Sequence, residues 1–220
     1  MNIAIDGPAG AGKSTIARRV AKELGYIYVD TGAMYRAMAL HIIRNNVSGD
    51  DEAGISAACE SADISLGFEG GEQAVYLNGE NVNPLIRTPQ VSEMASISSK
   101  NPRVREKLVS IQQELAKKTD VVMDGRDIGT RVLPDAPVKV YLTASADCRA
   151  KRRYDEMLEK GNPQSLEEIK QEIIERDERD MTREISPLVQ AEDAALVDSS
   201  DMTIEEVTQA ILKLVADSGK

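Results

Sequence analysis

The chain of 220 residues has no tryptophan, one phenylalanine and six tyrosines. That leaves little platform for stacking unpaired bases, and it counts against a single-stranded nucleic-acid binder. Its two cysteines, Cys59 and Cys148, stand far apart and make neither a C-x-x-C pair nor a zinc spacing, so two free thiols in a reducing compartment are expected. No run of apolar residues reaches the roughly 18 that a membrane-spanning helix needs. The opening Met1-Asn2-Ile3-Ala4-Ile5-Asp6-Gly7 lacks the basic-then-apolar pattern of a signal peptide. A cytoplasmic protein is the expectation. Positive charge is also short, with 27 lysines and arginines against 37 aspartates and glutamates, for a net charge of -10. A polyanion-binding face needs clustered positive charge, so neither nucleic acid nor a membrane is expected as a partner. The only histidine, His41, sits within a helical stretch and reads as a packed helix residue rather than a catalytic base.

What is present is ordinary for a globular protein: 41% hydrophobic and 29% charged residues. The length suits one core with a smaller insertion. Residues 2–7 read as a strand ending in glycine. A helix follows over 13–24, with Ile16, Ala17, Val20, Ala21 and Leu24 at three- and four-residue spacing, and Gly25 stops it. A strand at 26–30 and a helix from about Ala33 to Arg44 complete a β-α-β-α opening, the start of a parallel sheet flanked by helices. Residues 48–100 differ: Ile64–Phe68, Ala74–Leu77 and Val82 are separated by Gly70-Gly71 and Asn78-Gly79, which are hairpin signals, so a small antiparallel insertion is expected. The core pattern resumes with a helix from Asn101-Pro102, strands at 121–124 and 138–142, and a basic helix over 145–159 broken by Gly161-Asn162-Pro163. A helix capped by Ser165 and Glu168 runs to about Arg183, then come a strand at 195–198 and a final helix capped by Thr203 and Glu206. The expected organisation is a core of 1–47 and 101–220, an insertion of 48–100, and a lid segment of 148–163 within the core.

Gly7-Pro8-Ala9-Gly10-Ala11-Gly12-Lys13-Ser14 fits G-x-x-x-x-G-K-[ST], and it lies where the mechanism needs it, between a strand and a helix. Glycines let backbone N–H groups curl around phosphate oxygens, and the helix N-terminus adds partial positive charge. Lys13 is placed to reach the β- and γ-phosphates, and the Ser14 hydroxyl to ligate Mg²⁺. A nucleoside triphosphate site with Mg²⁺ follows.

A P-loop by itself does not choose among a switch GTPase, a motor ATPase and a small-molecule kinase. The guanine-reading Asn-Lys-x-Asp is missing; the nearest string, Lys117-Lys118-Thr119-Asp120, lacks the asparagine. The arginines are more telling. Ile169, Ile173, Arg176, Asp180 and Arg183 share one helix stripe that begins apolar and turns charged. Two arginines around one aspartate suit a phosphate and a ribose hydroxyl; the alternative is a surface ion-pair ladder of Arg176 with Asp180. Arg149, Arg152 and Arg153 form a second group, either a mobile cover bringing positive charge to a transferring phosphoryl group or a solvated basic face. Asp124-Gly125-Arg126-Asp127 follows a buried strand at the carboxyl edge of the sheet, where open α/β sheets bind ligands. Asp124 is a candidate Mg²⁺ partner and Arg126 and Asp127 candidate acceptor contacts; otherwise the string is a polar turn capped by Asp124.

Five strings together resemble the bacterial cytidylate kinase family of nucleoside monophosphate kinases. They are Asp6–Thr15, Asp30-Thr31-Gly32-Ala33-Met34-Tyr35-Arg36, Pro102-Arg103-Val104-Arg105-Glu106, Asp124-Gly125-Arg126-Asp127-Ile128-Gly129-Thr130 and Glu175-Arg176-Asp177-Glu178-Arg179-Asp180. They keep the family's order and near-family spacing across almost the whole chain. The resemblance implies a P-loop three-layer α/β/α fold with a central parallel sheet, a small antiparallel β-containing monophosphate-binding insertion and a short helical lid. It implies a monomeric kinase that moves the γ-phosphoryl group of ATP to CMP or dCMP, in line and without a covalent enzyme intermediate. Arg36, Arg126 and Arg183 would hold the acceptor phosphate, with Arg176 nearby. Thr31 and Asp180 would hold the ribose hydroxyls, Thr31 replacing a serine common in relatives. Ser96, Arg105 and Asp127 would read the base, whose 4-amino donor suits a carboxylate and whose O2 and N3 suit serine and arginine. Lys13, Arg126, Arg152, Arg153, Arg176 and Arg179 would neutralise the transferring group.

Overall fold

Residues 1–69, 72–159, 161 and 164–219 are described by the computed structural model. In chain order the elements are β1 (Asn2–Asp6), α1 (Lys13–Leu24), β2 (Ile27–Asp30), α2 (Thr31–Arg44), α3 (Glu52–Ser61), β3 (Ile64–Glu69), β4 (Glu72–Leu77), β5 (Glu80–Asn81), α4 (Pro89–Ser98), α5 (Pro102–Lys118) and β6 (Val121–Gly125). A single π-type turn (Ile128–Val132) follows, then β7 (Val138–Thr143), α6 (Ala146–Glu159), α7 (Leu166–Thr182), β8 (Ala195–Asp198) and α8 (Ile204–Ser218). They fold as two compact units, Met1–Ile27 with Asp120–Lys220, and Tyr28–Thr119. The second unit is wider than the 48–100 insertion expected from the sequence, because α2 and α5 contribute to its core.

The first unit is built on a parallel sheet. β1 runs alongside β6, with Ile3 opposite Val122 and Ile5 opposite Asp124. On its other side it pairs with β7, Ile3 opposite Val138 and Ile5 opposite Val140, and β8 extends the sheet beyond β7. The strand order is β2-β6-β1-β7-β8. β1 is central, so Ile3, Ala4 and Ile5 are fully buried; strands covered on both faces read as continuous apolar runs, and this one does. α1 buries Ile16, Ala17, Val20 and Ala21 and packs on β6 and α8. α7 and α8 each begin with a full capping box, Ser165 with Glu168 and Thr203 with Glu206, devices worth about 1 kcal/mol apiece. α6 and α7 lie together over Ala150, Ile169 and Ile173.

In the second unit, β3 and β4 pair antiparallel, and β5 adds two residues through Asn78-Gly79. Asn78 and Gly79 both have positive φ, 51° and 82°, as a two-residue type I′ hairpin requires. The Gly70-Gly71 turn signal lies outside the described residues, as do Lys160, Asn162 and Pro163 of the expected lid segment. The insertion reads as β-containing, and its sequence pattern does not delimit α3 or α4. Neither helix carries a long apolar stripe: α3 buries only Ile55, Ala58 and Cys59, and α4 only Val91, Ala95 and Ser98. Caps make them instead, Asp51 accepting from Gly54 N–H and Thr88 from Val91 N–H ahead of Pro89. α2 begins at Thr31, two residues earlier than expected, because the Asp30 carboxylate accepts the Ala33 N–H at 2.9 Å. His41 is a packed helix residue, its Nε2 3.0 Å from Ser61 Oγ.

Candidate active site

Three glycines with positive φ shape the Gly7–Ser14 loop: Gly7 at 149°, Gly10 at 77° and Gly12 at 85°. Gly7 is the tightest. A Cβ built there would stand 1.9 Å from the Leu142 carbonyl oxygen of β7, so the loop leaves β1 flush against the neighbouring strand. We expect Gly7→Ala to destabilise the protein by about 3 kcal/mol or more in urea unfolding, with triphosphate binding lost alongside. A variant of wild-type stability would mean that β1 and β7 separate at little cost.

Gly12 begins α1 with no side-chain cap, and the first turn carries no acidic residue. Its N–H groups are left for an anion. Lys13 is buried at 6% exposure, and its ammonium donates across the loop to the Pro8 carbonyl at 2.7 Å. Burial, followed by the nearby Arg126 charge, pushes the Lys13 ammonium down to about 7, against the pull of Asp124 and Asp6. Phosphate oxygens would reverse that shift. The exposed hydroxyl of Ser14 donates to Asp124 Oδ2 at 2.9 Å. The two residues assigned to Mg²⁺ are thus side by side, a hydroxyl and a carboxylate, the hard oxygen donors that ion takes when phosphates supply the rest.

At the carboxyl end of β6, Arg126 Nε donates to Asp180 Oδ2 at 2.9 Å. Burial works to raise the Asp180 carboxyl, but the charge and hydrogen bond of Arg126, together with Arg176 and Arg183, hold it below the usual carboxylate value. The α7 stripe therefore does leave the core: Ile169 and Ile173 are packed, Asp180 is buried against arginines, and Arg183 lies just past the helix end. Asp180 forms an ion pair with Arg126, which comes from a different element than α7. Asp127 is buried beside it and opens the π-type turn, its carbonyl accepting from Arg131 N–H at 2.9 Å.

Sequence reasoning gave no role to Asp6, which holds that turn in place. Its two carboxylate oxygens accept from Ile128 N–H at 2.8 Å and Gly129 N–H at 2.7 Å. Burial raises its carboxyl to about 6 despite those two bonds. The signal was available, since an aspartate ending a buried central strand needs donors nearby.

In the second unit, Asp30 Oδ2 receives both Arg36 Nη2 at 3.0 Å and Arg87 Nη2 at 3.1 Å. Arg87 and Gln73, which exchanges hydrogen bonds with the Asp30 backbone, were not singled out from the sequence. Arg105 is buried, donates to the Ser99 carbonyl at 3.1 Å and lies 5.5 Å over the Tyr35 ring. Ser96 is half-buried on α4, and Thr31 is buried at the start of α2.

Over residues 3–217 the chain matches the family described as Cytidylate kinase. It belongs to that family. A cytidylate kinase of Caldicellulosiruptor bescii is 53% identical over 97% of this chain and 95% of its own length. One from Carboxydothermus hydrogenoformans is 53% identical over 98% and 97%. A shikimate kinase structure from Bacteroides thetaiotaomicron, at 14% identity, aligns with a TM-score of 0.50 over 98% of both chains and speaks to the fold alone.

The basic helix α6 departs from the expected arrangement at its first arginine. Arg149 is not part of a mobile cover or a solvated face; it is 5% exposed and donates to the carbonyls of Ala144 and Ala9 and to Asp177. It points inward because it lies in the first turn of α6, against the loop. Arg152 donates to the Ser199 carbonyl at 2.7 Å, and Arg153 pairs with Glu172 at 2.9 Å. Arg179 is exposed and donates to the Glu175 carbonyl of its own helix.

Proposed function

We propose that this chain is a kinase that transfers the γ-phosphoryl group of ATP to CMP or dCMP, giving ADP and CDP or dCDP. The observation that carries the reading is the kinship with cytidylate kinases along almost its entire length. The P-loop geometry supports it. Gly7–Thr15 would cradle the triphosphate, and Lys13 would turn from the Pro8 carbonyl to its β- and γ-oxygens. Ser14 and Asp124 would hold Mg²⁺, which when bound neutralises charge on those oxygens. Arg126, Arg176 and Arg183, with Arg36, would bind the acceptor phosphate and orient it in line. Arg126 is already aimed by Asp180. Asp180 and Thr31 would take the ribose hydroxyls, and Asp127, Arg105 and Ser96 the base. Arg152, Arg153 and Arg179 would add positive charge at transfer, exchanging their present partners for phosphate oxygens. No group here acts as a covalent nucleophile; the protein positions the reactants and stabilises spread negative charge.

The reading includes a cytoplasmic, monomeric enzyme whose partners are small nucleotides rather than nucleic acid or membrane. The net charge of -10 supports that, and among the described residues no helix is long and apolar enough to cross a membrane. The test is ADP formation from ATP and Mg²⁺ with CMP, dCMP, UMP, AMP or no acceptor. Strong dependence on CMP and dCMP, with UMP at least about tenfold weaker, is expected. Equal use of every acceptor, or turnover with none, would overturn it.

A further inference from the structure

We propose that Arg149 and Asp177 are positioning residues for the triphosphate cradle, acting through the Ala9–Gly10 peptide. The proposal rests on the reading of Gly7–Ser14 as the ATP site.

A buried guanidinium is stable only when its donors are answered. Those of Arg149 are answered from three places. Nε donates to the Ala144 carbonyl at 2.8 Å, Nη1 to the Ala9 carbonyl at 3.0 Å, and the Nη1/Nη2 fork to Asp177 at 3.0 and 2.6 Å. The Asp177 contact is bidentate, which fixes the plane of the guanidinium as well as its place. The plane matters because of what lies above it. In a trans peptide the carbonyl and the following N–H point in opposite directions. Holding the Ala9 oxygen toward Arg149 therefore aims the Gly10 N–H away from it, to the side of the loop where an anion would be cradled. Gly10 itself, at φ 77°, leans on the arginine: a Cβ there would meet Arg149 Cβ at 3.4 Å.

Asp177 also gives the brace its second end. It stands on α7 next to Arg176 and three residues before Asp180, so one carboxylate ties the cradle to the helix that carries the acceptor-side arginine cluster. Removing its charge leaves Arg149 buried without a counterion, free to abandon the Ala9 carbonyl. The loop then loses the orientation of a phosphate-facing N–H, although no residue touching phosphate has changed.

The experiment compares Asp177→Asn, which keeps the side-chain shape, and Arg149→Lys, which keeps the charge but loses the fork. Lys151→Gln, in an exposed pair with Asp155 on the same helix, is the control. Pyrophosphate affinity by calorimetry probes the cradle directly, beside KM for ATP, kcat and thermal stability. Expected are about tenfold losses in pyrophosphate affinity and about tenfold increases in KM for ATP for both variants. The double variant should be little worse than either alone, because both act on one peptide. Lys151→Gln should match the wild type. If the variants melt at lower temperature yet keep pyrophosphate affinity and KM within twofold, the brace is structural only and the proposal fails. Should Arg149→Lys not fold, Asp177→Asn decides alone. A wild-type protein that binds neither pyrophosphate nor ATP would instead remove the cradle reading itself, and this one with it.

Discussion

Lys13→Ala is expected to lower turnover on the order of 10³-fold, the scale seen when a single preorganised donor to a developing oxyanion is removed. Lys13 is held ready rather than relaxed: buried, bonded to the Pro8 carbonyl, and pushed down to about 7 chiefly by burial and then by Arg126. Its charge is therefore expensive until phosphate arrives and cheap afterwards, which favours the state with most negative charge in the loop. The same feature gives a thermodynamic signature. At pH 8 the free enzyme holds Lys13 largely neutral, whereas bound phosphate raises the ammonium well above that pH. ADP binding without metal should then take up close to one proton, read by calorimetry in two buffers of different ionisation heat. Lys13→Met should abolish the uptake. Turnover above about a tenth of wild type in Lys13→Ala, or equal proton uptake in Lys13→Met, would remove Lys13 from the transfer step.

Much of this was legible in the sequence because several signals agreed at each place. The strand, glycine loop and helix of residues 2–24 coincide with β1, the cradle and α1, and Ser14 lies on Asp124 as the P-loop reading needs. The stripe on α7 was readable because a helix stripe that turns from Ile173 to Asp180 cannot stay in an apolar core. Other features were hidden for physical reasons. α3 and α4 are short helices stabilised by caps and small residues, and the β signals beside them dominate that stretch. An aspartate that ends a buried strand announces a need for donors, but no local pattern encodes that those of Asp6 are Ile128 and Gly129, or that Arg149 donates to Ala9. Spacing showed that Arg149, Arg152 and Arg153 share a helix. Only packing could show that the first is sealed under the loop while the third stays in water.

Base choice should depend most on Asp127. Its carboxylate is buried and stands at the end of β6 in a turn fixed from behind by Asp6, so it has little freedom to retreat from a mismatched ligand. Cytosine offers it a 4-amino donor; uracil would set an O4 lone pair against the charge, leaving a buried carboxylate unanswered. Sites that demand a donor in this way reject the analogue lacking it far more strongly than apolar pockets reject a missing methylene. Asp127→Asn removes the charge and adds a donor, and its amide can turn to face either base. We expect kcat/KM for CMP to fall about 100-fold and the preference for CMP over UMP to shrink at least about tenfold. Unfolding by urea should remain near wild type if the effect is one of recognition. A variant that loses CMP activity but keeps the original CMP to UMP ratio would show Asp127 to be a prop for the turn and for Arg126 next to it. Base reading would then fall to Arg105 and Ser96, neither of which rejects an O4 acceptor on its own.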